Sequence, residues 1–228
     1  LGVEDERNLH EAKMIFKELS EKGSFYSSYI LGLLFQSQDD EEQDFNKSFS
    51  YYMKSFQQNN VFASVRIGQS YFNGYGVTKN FEKAIEYYTY AADLRNSNAF
   101  NSIGYCYYSG KGVDKNITEA IKYYELAASL GNIYAMLNLA NINEMVLKKF
   151  TKAIEYYGQA AKLGNSDAMH ILGNIYSDGI LVAQNITKAI ELYEESANLG
   201  NSDALNSLGY LFEVGEGFEK NYTKAFEY

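Results

Sequence analysis

The chain has 228 residues, a formal net charge of −9, 46% hydrophobic residues, two His, one Cys and no Pro. The acidic balance excludes a phosphate backbone as the natural partner, because that requires clustered Lys and Arg. One Cys and two His exclude a disulfide framework or a Cys/His zinc cage, and the longest apolar run, Tyr29 to Phe35, is too short to cross a bilayer.

Two anchors organise the chain. Gly32, Gly68, Gly104, Ala140, Gly173 and Gly209 follow one another at 36 residues, with a single step of 33 before Gly173. Ala12, Ser48, Ala84, Ala120, Ala153, Ala189 and Ala225 keep the same step and slip at the same place. A period in this range marks a solenoid, propeller or array, because one unit cannot bury its own apolar face and must stack on its neighbours. Absence of Pro favours uninterrupted helices. The expectation is one elongated stack over residues 1–228, about six repeats, truncated at both ends and part of a longer chain.

In chain order, the first predicted helix starts at Asn8 and stops at Gly23. Asn8 stands in an N-cap slot, where a side-chain oxygen accepts a backbone N–H. The same slot holds Asp44, Asn80, Asn116, Asn185 and Asn221, and only Lys149 departs from it. Glu11 and Glu119 follow Asn8 and Asn116 at the spacing of a capping box. The stop slot holds Gly23, Asn59, Gly131, Gly164 and Gly200, residues that tolerate the left-handed conformation, with Arg95 as the exception.

A second helix follows in each repeat, as at Ser97 to about Ser109. Its central Gly costs about 1 kcal/mol in a helix interior, so recurrence at one register points to close approach of a neighbouring helix. Tight turns then read Gly74-Tyr75-Gly76-Val77, Gly110-Lys111-Gly112-Val113 and Gly215-Glu216-Gly217-Phe218. Three turns depart from this. The first, Gln38 to Gln43, has no Gly. The fourth, Asn143 to Leu147, is three residues short. The fifth has Gly179 but Leu181 where the second Gly belongs.

The pattern A-x-x-x-I-G-x-x-Y-x-x-G-x-G-V at 99–113, with K-A-I-x-Y-Y-x-x-A-A-x-L-G-N at 152–165, resembles the Sel-one-like repeat family, a relative of the tetratricopeptide repeat. The resemblance covers nearly the whole chain. It implies an all-α fold, an α-solenoid in the form of a right-handed superhelix of paired antiparallel helices. It also implies a scaffold or adaptor role.

Candidate chemistry is sparse. The Gly-x-Gly turns lack the third Gly and the strand of a dinucleotide fingerprint, and the Gly-Lys-Ser/Thr of a P-loop. Cys106 sits in a slot otherwise mostly apolar, and reads as a buried, inert thiol. His10 and His170 have no second ligand nearby. No catalytic residue, metal or cofactor is expected. Four N-x-S/T sequons occur, at Asn46, Asn116, Asn185 and Asn221, but three of these Asn are explained as helix caps. The acidic run Asp39 to Asp44 reads as a solvated loop.

One constellation carries a functional expectation. With Ile103 as origin of a helical wheel, Ile103, Gly104 and Tyr107 share one side, and Asn98, Asn101, Tyr105, Tyr108 and Ser109 lie opposite. By analogy with the tetratricopeptide arrangement, the second side should line a concave groove. The same register gives Tyr26, Tyr29 and Leu33; Phe62, Val65, Gln69 and Phe72; Tyr134, Leu137 and Asn141; Asp167, His170, Asn174 and Asp178; and Asp203, Asn206, Tyr210 and Glu213. The early part is aromatic and apolar, the later part Asn-rich and acidic. The expectation is a non-enzymatic, cytoplasmic scaffold that takes a protein or peptide partner in this groove, with no nucleic acid and no membrane insertion. Two alternatives stay open: a luminal substrate adaptor of an endoplasmic-reticulum-associated degradation ubiquitin ligase, whose opening repeats the stretch Asn8 to Gly32 resembles, and a regulatory segment of a larger enzyme such as a kinase.

Overall fold

A computed structural model of the chain describes residues 2–37, 43–215 and 220–227, so the acidic run up to residue 42 and the last Gly-x-Gly turn from 216 lie outside the described residues. Among the described residues there are thirteen α-helices, one π-helical turn and no strand. The chain divides at residue 130 into two compact units. The first holds α1 (Gly2–Glu21), α2 (Phe25–Gln36), α3 (Phe45–Gln57), α4 (Val61–Asn73), α5 (Phe81–Asp93), α6 (Ser97–Ser109) and α7 (Ile117–Ser129). The second holds α8 (Ile133–Asn141), the π-helical turn (Ile142–Val146), α9 (Phe150–Lys162), α10 (Ser166–Asp178), α11 (Ile186–Asn198), α12 (Ser202–Val214) and α13 (Tyr222–Glu227).

Even-numbered helices carry the Gly anchor and odd-numbered helices the Ala anchor. The Gly slot is small because a tyrosine lies against it. A Cβ added to Gly32, Gly68, Gly104 or Gly173 would collide with the ring of Tyr52, Tyr88, Tyr124 or Tyr193 respectively. Each of these rings is buried, alongside the equally buried Ala anchors. Small residue and large ring therefore interlock in four of the repeats, which fills the interior there without voids. A second aromatic set repeats in step. Phe35 stacks on Tyr51 at 5.7 Å, Tyr71 on Tyr87 at 5.7 Å and Tyr107 on Tyr123 at 5.6 Å.

Local chemistry sets the helix ends. Gly23, Asn59, Arg95, Gly131, Gly164 and Gly200 all have positive φ, including the expected exception Arg95 at 59°. Asp44, Asn80, Asn116, Asn185 and Asn221 each accept the N–H of the residue three positions on. A second set of caps starts the even-numbered helices. Asn96, Asn132, Asn165 and Asn201 accept in the same way, and Asn60 accepts from Phe62. Lys149 makes no side-chain cap.

Two expectations are corrected. Asn8 does not start a helix: α1 already runs from Gly2, because no Gly or Pro stands between Val3 and Asn8 to break it. The capping box at Asn116 and Glu119 is half formed. The Asn116 N–H is taken by the Tyr107 carbonyl at 2.9 Å, and Glu119 pairs with Lys122 at 3.3 Å. The same main-chain tie recurs from Asp44 to Phe35, Asn80 to Tyr71, Asn185 to Tyr176 and Asn221 to Phe212, so it locks each odd-numbered helix to the one before it.

Candidate functional site: the outward face of the even-numbered helices

The expected register does place a row of side chains in solvent. Tyr26, Phe62, Asn98, Tyr134, Asp167 and Asp203, the second residue of each even-numbered helix, are all exposed. They stand clear because the cap residue before them turns the chain and the next apolar position faces inward. The next row, one turn on, differs. Tyr29, Asn101 and His170 are half-buried, and Val65 is buried within the core of the first unit beside Ala84 and Tyr88. The expectation that Val65 lines a groove is corrected: this row faces neighbouring helices, and a wheel cannot see neighbours.

In the first unit the aromatic residues partly pack on each other. Tyr29 lies 5.9 Å from Tyr52, and its hydroxyl accepts from Arg66 Nε at 3.4 Å. Phe72 meets Phe81 edge-on at 5.1 Å and Tyr105 at 5.8 Å. Lys111 Nζ lies over all three rings, 4.9 Å from that of Phe72, 5.8 Å from that of Phe81 and 5.7 Å from that of Tyr105. Tyr108 is half-buried, with Lys115 Nζ 5.8 Å from its ring. Tyr105 still shows an exposed ring.

In the second unit four of the expected residues come together, whereas Asn141, Asp167 and Asp203 lie outside that group. Asn174 and Asp178 from α10, with Asn206 and Tyr210 from α12, line one recess of about 290 Å³, together with Ser177, Ser207 and the Tyr193 ring of α11. Tyr210 stands 62% exposed at its edge. The Tyr193 hydroxyl donates to Asn174 Oδ1 at 2.7 Å, and the single proton of the Tyr157 hydroxyl is shared between Asn141 Oδ1 at 3.0 Å and Glu144 Oε2 at 2.9 Å. Buried tyrosines thus fix the amide oxygens and leave the Nδ2 donors for the surface. His170 Nε2 lies 3.0 Å from Ser207 Oγ, joining α10 to α12. Asp167 accepts from Asn201 Nδ2 at 2.8 Å. Neither α10 nor α12 contains a Lys or Arg, whereas Asp167, Asp178, Asp203 and Glu213 lie on them.

The surroundings offer no reactive group. Burial pushes the Cys106 thiol up to about 12, so it is protonated and inert at neutral pH. Among the described residues no cluster of three His, Cys, Asp or Glu could hold a metal, and no helix is long and apolar enough to cross a membrane.

The sequence reading missed an aromatic surface elsewhere. Phe56, Tyr71, Tyr87 and Tyr90, with Lys83 and Glu86, line a recess of about 220 Å³ in the first unit. Its signal was present as paired tyrosines once per repeat, at 51–52, 87–88, 123–124 and 156–157.

Six Sel1 repeats are recognised, at residues 26–60, 61–96, 101–132, 133–165, 166–201 and 202–228, and the chain belongs to the Sel1 repeat family. Its fold is the α-solenoid of that family, whose members are generally non-enzymatic protein-interaction scaffolds. A Sel1 repeat protein from Oxalobacter formigenes is 25% identical, with a TM-score of 0.80, over 99% of this chain and 96% of that one. A protective antigen of uropathogenic Escherichia coli with the same kind of fold is 30% identical with a TM-score of 0.70, over 94% of this chain. The chain spans 47% of the length of that antigen. An immunity protein from Pseudomonas aeruginosa, 24% identical with a TM-score of 0.60 over 90% of this chain and 75% of its own, shares the fold. No curated protein is significantly similar in sequence.

Proposed function

We propose that this protein is a non-enzymatic scaffold that seats a peptide segment of a partner protein on the outward face of its even-numbered helices. The observation that carries this is the recess in the second unit. Exposed Tyr210, donors from Asn174 and Asn206, and the Asp178 carboxylate converge on it, with no Lys or Arg on α10 or α12. Aromatic anchors beside adaptable amides are the composition of a binding surface. The acidic surround favours a partner segment carrying Lys or Arg, through attraction that acts mainly on encounter rate. In the first unit, Tyr26, Phe62 and Tyr105 offer apolar contact. The reading includes a cytoplasmic setting, since the oxygens of Asn116, Asn185 and Asn221 serve as helix caps. A mass shift on glycosidase treatment of natively prepared protein would refute that setting.

The test is photo-crosslinking followed by affinity measurement. A photoreactive residue at Phe62, Tyr105 or Tyr210 should capture the partner, whereas one at exposed Glu155 on α9 should not. Tyr105→Ala and Tyr210→Ala should each weaken the captured partner by over ~1 kcal/mol while leaving the unfolding midpoint unchanged. Asp167→Asn with Asp203→Asn should mainly slow association and flatten its salt dependence. Unfolding of the Tyr105 variant would show that its contact with Phe72 is structural packing, and would remove Tyr105 from the site.

A further inference from the structure

The fourth and fifth turns, both in the second unit, expose apolar side chains, although Val182 of the fifth is half-buried like its equivalents in the regular turns. In the regular turns the residue after the second Gly, Val77 or Val113, is half-buried, and Val113 packs on the core of the first unit. In the short fourth turn the chain passes through the π-helical turn instead. Asn143 stands where Phe35, Tyr71 and Tyr107 stand in earlier repeats, buried, with its Nδ2 donating to the Leu139 carbonyl. Main-chain bonds from Leu147 N to Ile142 O at 3.0 Å and from Lys149 N to Asn143 O at 2.7 Å hold the turn shut. Met145, Val146 and Leu147 are thereby directed into solvent on ordered backbone, Met145 at 66% exposure, and Phe150 follows them, also exposed. The fifth turn adds Ile180, 82% exposed, and Leu181.

The repeat register brings the two turns to one place. Gly76 packs on the carbonyl of Phe45, and Gly112 on that of Phe81, the first residues of α3 and α5. The same step back from Leu181 arrives at Phe150, the first residue of α9. Leu181 occupies the position that is Gly, packed under a helix start, in the regular turns, so the register assigns it to the start of α9, and Ile180 and Leu181 are both exposed.

The charge around these residues is the reverse of that of the chain. Between Glu144 and Glu155 the charged residues are Lys148, Lys149 and Lys152, all exposed, and from Gly179 to Asn185 there are none. Glu144 keeps its charge and shares the Tyr157 hydroxyl proton, at 2.9 Å, with Asn141, so the three lysines outnumber the two carboxylates that bound the stretch. Asp178 lines the recess with Tyr210. Exposed apolar side chains on both turns, with three lysines beside those of the fourth, thus sit on a protein of net charge −9. Exposed apolar patches of this kind mark interaction sites.

We infer that Met145, Val146, Leu147, Phe150, Ile180 and Leu181 form a second docking surface, for a protein segment that carries apolar anchors among acidic residues. Charge complementarity selects the acidic character: the three lysines attract it, and a basic segment meets like charge. An anionic bilayer would also attract three lysines, but the remaining charge of the chain opposes that approach. The surface is separate from the recess of the proposed function and does not depend on it.

The test uses the full chain and three sets of synthetic peptides in which Leu and Phe are interspersed with Glu, Gln or Lys, together with phosphatidylserine vesicles. The Glu peptides should bind, more tightly at low salt, and the Lys peptides should not. Met145→Ser with Ile180→Ser should abolish binding. Lys148→Gln with Lys149→Gln should weaken it about tenfold and remove its salt dependence. Tyr210→Ala should leave it unchanged. All substituted side chains are exposed, and a thermal melt of each variant checks that helicity persists. Equal binding of Glu and Lys peptides, no binding of the Glu peptides, retained binding by the Met145/Ile180 variant, or capture by vesicles in place of the Glu peptides would each overturn the inference.

Discussion

Arg95 ends α5 at φ 59°, in the conformation that Gly164 and Gly200 adopt at 85° and 87° to end α9 and α11. A side chain there meets its own backbone, at a cost of about 1 kcal/mol. No atom lies within 4 Å of a Cβ added to Gly164 or Gly200, so backbone strain alone is at issue. Gly164→Ala and Gly200→Ala should each lower stability by about 1 kcal/mol in urea unfolding, and Arg95→Gly should raise it by up to about that amount. A change near zero in the Gly variants would mean that the helices can end in another way. Gly104→Ala belongs to a different class. Its Cβ would come within 2.8 Å of the Tyr124 ring, which is buried, and the expected loss is about 1–3 kcal/mol from overpacking.

Among the helices, α9 alone of α2 to α12 starts without a side-chain cap. Lys149 places a positive charge where the helix dipole is also positive. Lys149→Asp should supply both the missing acceptor and the favoured sign, and raise stability by about 1 kcal/mol. The check is the thermal midpoint; no rise would show that the backbone at φ −98° and ψ 70° cannot bring the carboxylate to the N–H of Lys152. The odd residue was legible in the sequence, because every other repeat has Asp or Asn there. Its cause, a π-helical turn closed on the Asn143 carbonyl, was not, since the three-residue deletion could be absorbed in several ways. Asn8 is the converse case: its slot matched, yet α1 runs through it, because a cap residue ends a helix only where the backbone already turns.

For the whole molecule, the interlocked tyrosines link stability to alkaline pH. Burial pushes Tyr52 from 10.0 up to about 12 and raises Tyr88, Tyr124, Tyr157 and Tyr193 as well. The folded protein therefore holds these protons more tightly than the unfolded chain. Their contribution is complete below the unfolded value near 10 and is lost as pH rises through the raised folded values. Both units carry such rings, so denaturant unfolding should show a plateau up to about pH 10 and a steep fall toward 12, with the last part of the tyrosinate absorbance, that of the buried rings, appearing together with loss of helicity. Ionisation of all 22 tyrosines near pH 10 with the helices intact would contradict the burial of these rings.

The sequence by itself determined the repeat, the helical class, both kinds of helix end, the identity of the small slots and the inert character of Cys106. These depend on residues within a turn or two of each other, or on steric size at a recurring position, and both leave a periodic trace. The tertiary structure decided which polar-looking face is free. It buried Val65, half-buried Tyr29 and Asn101, used Tyr193 and Tyr157 to orient Asn174 and Asn141, and left Met145 and Ile180 in solvent. A helical wheel ranks side chains by direction on one helix. Whether that direction meets water or a neighbour depends on partners a full repeat away, and only the packed stack fixes those distances.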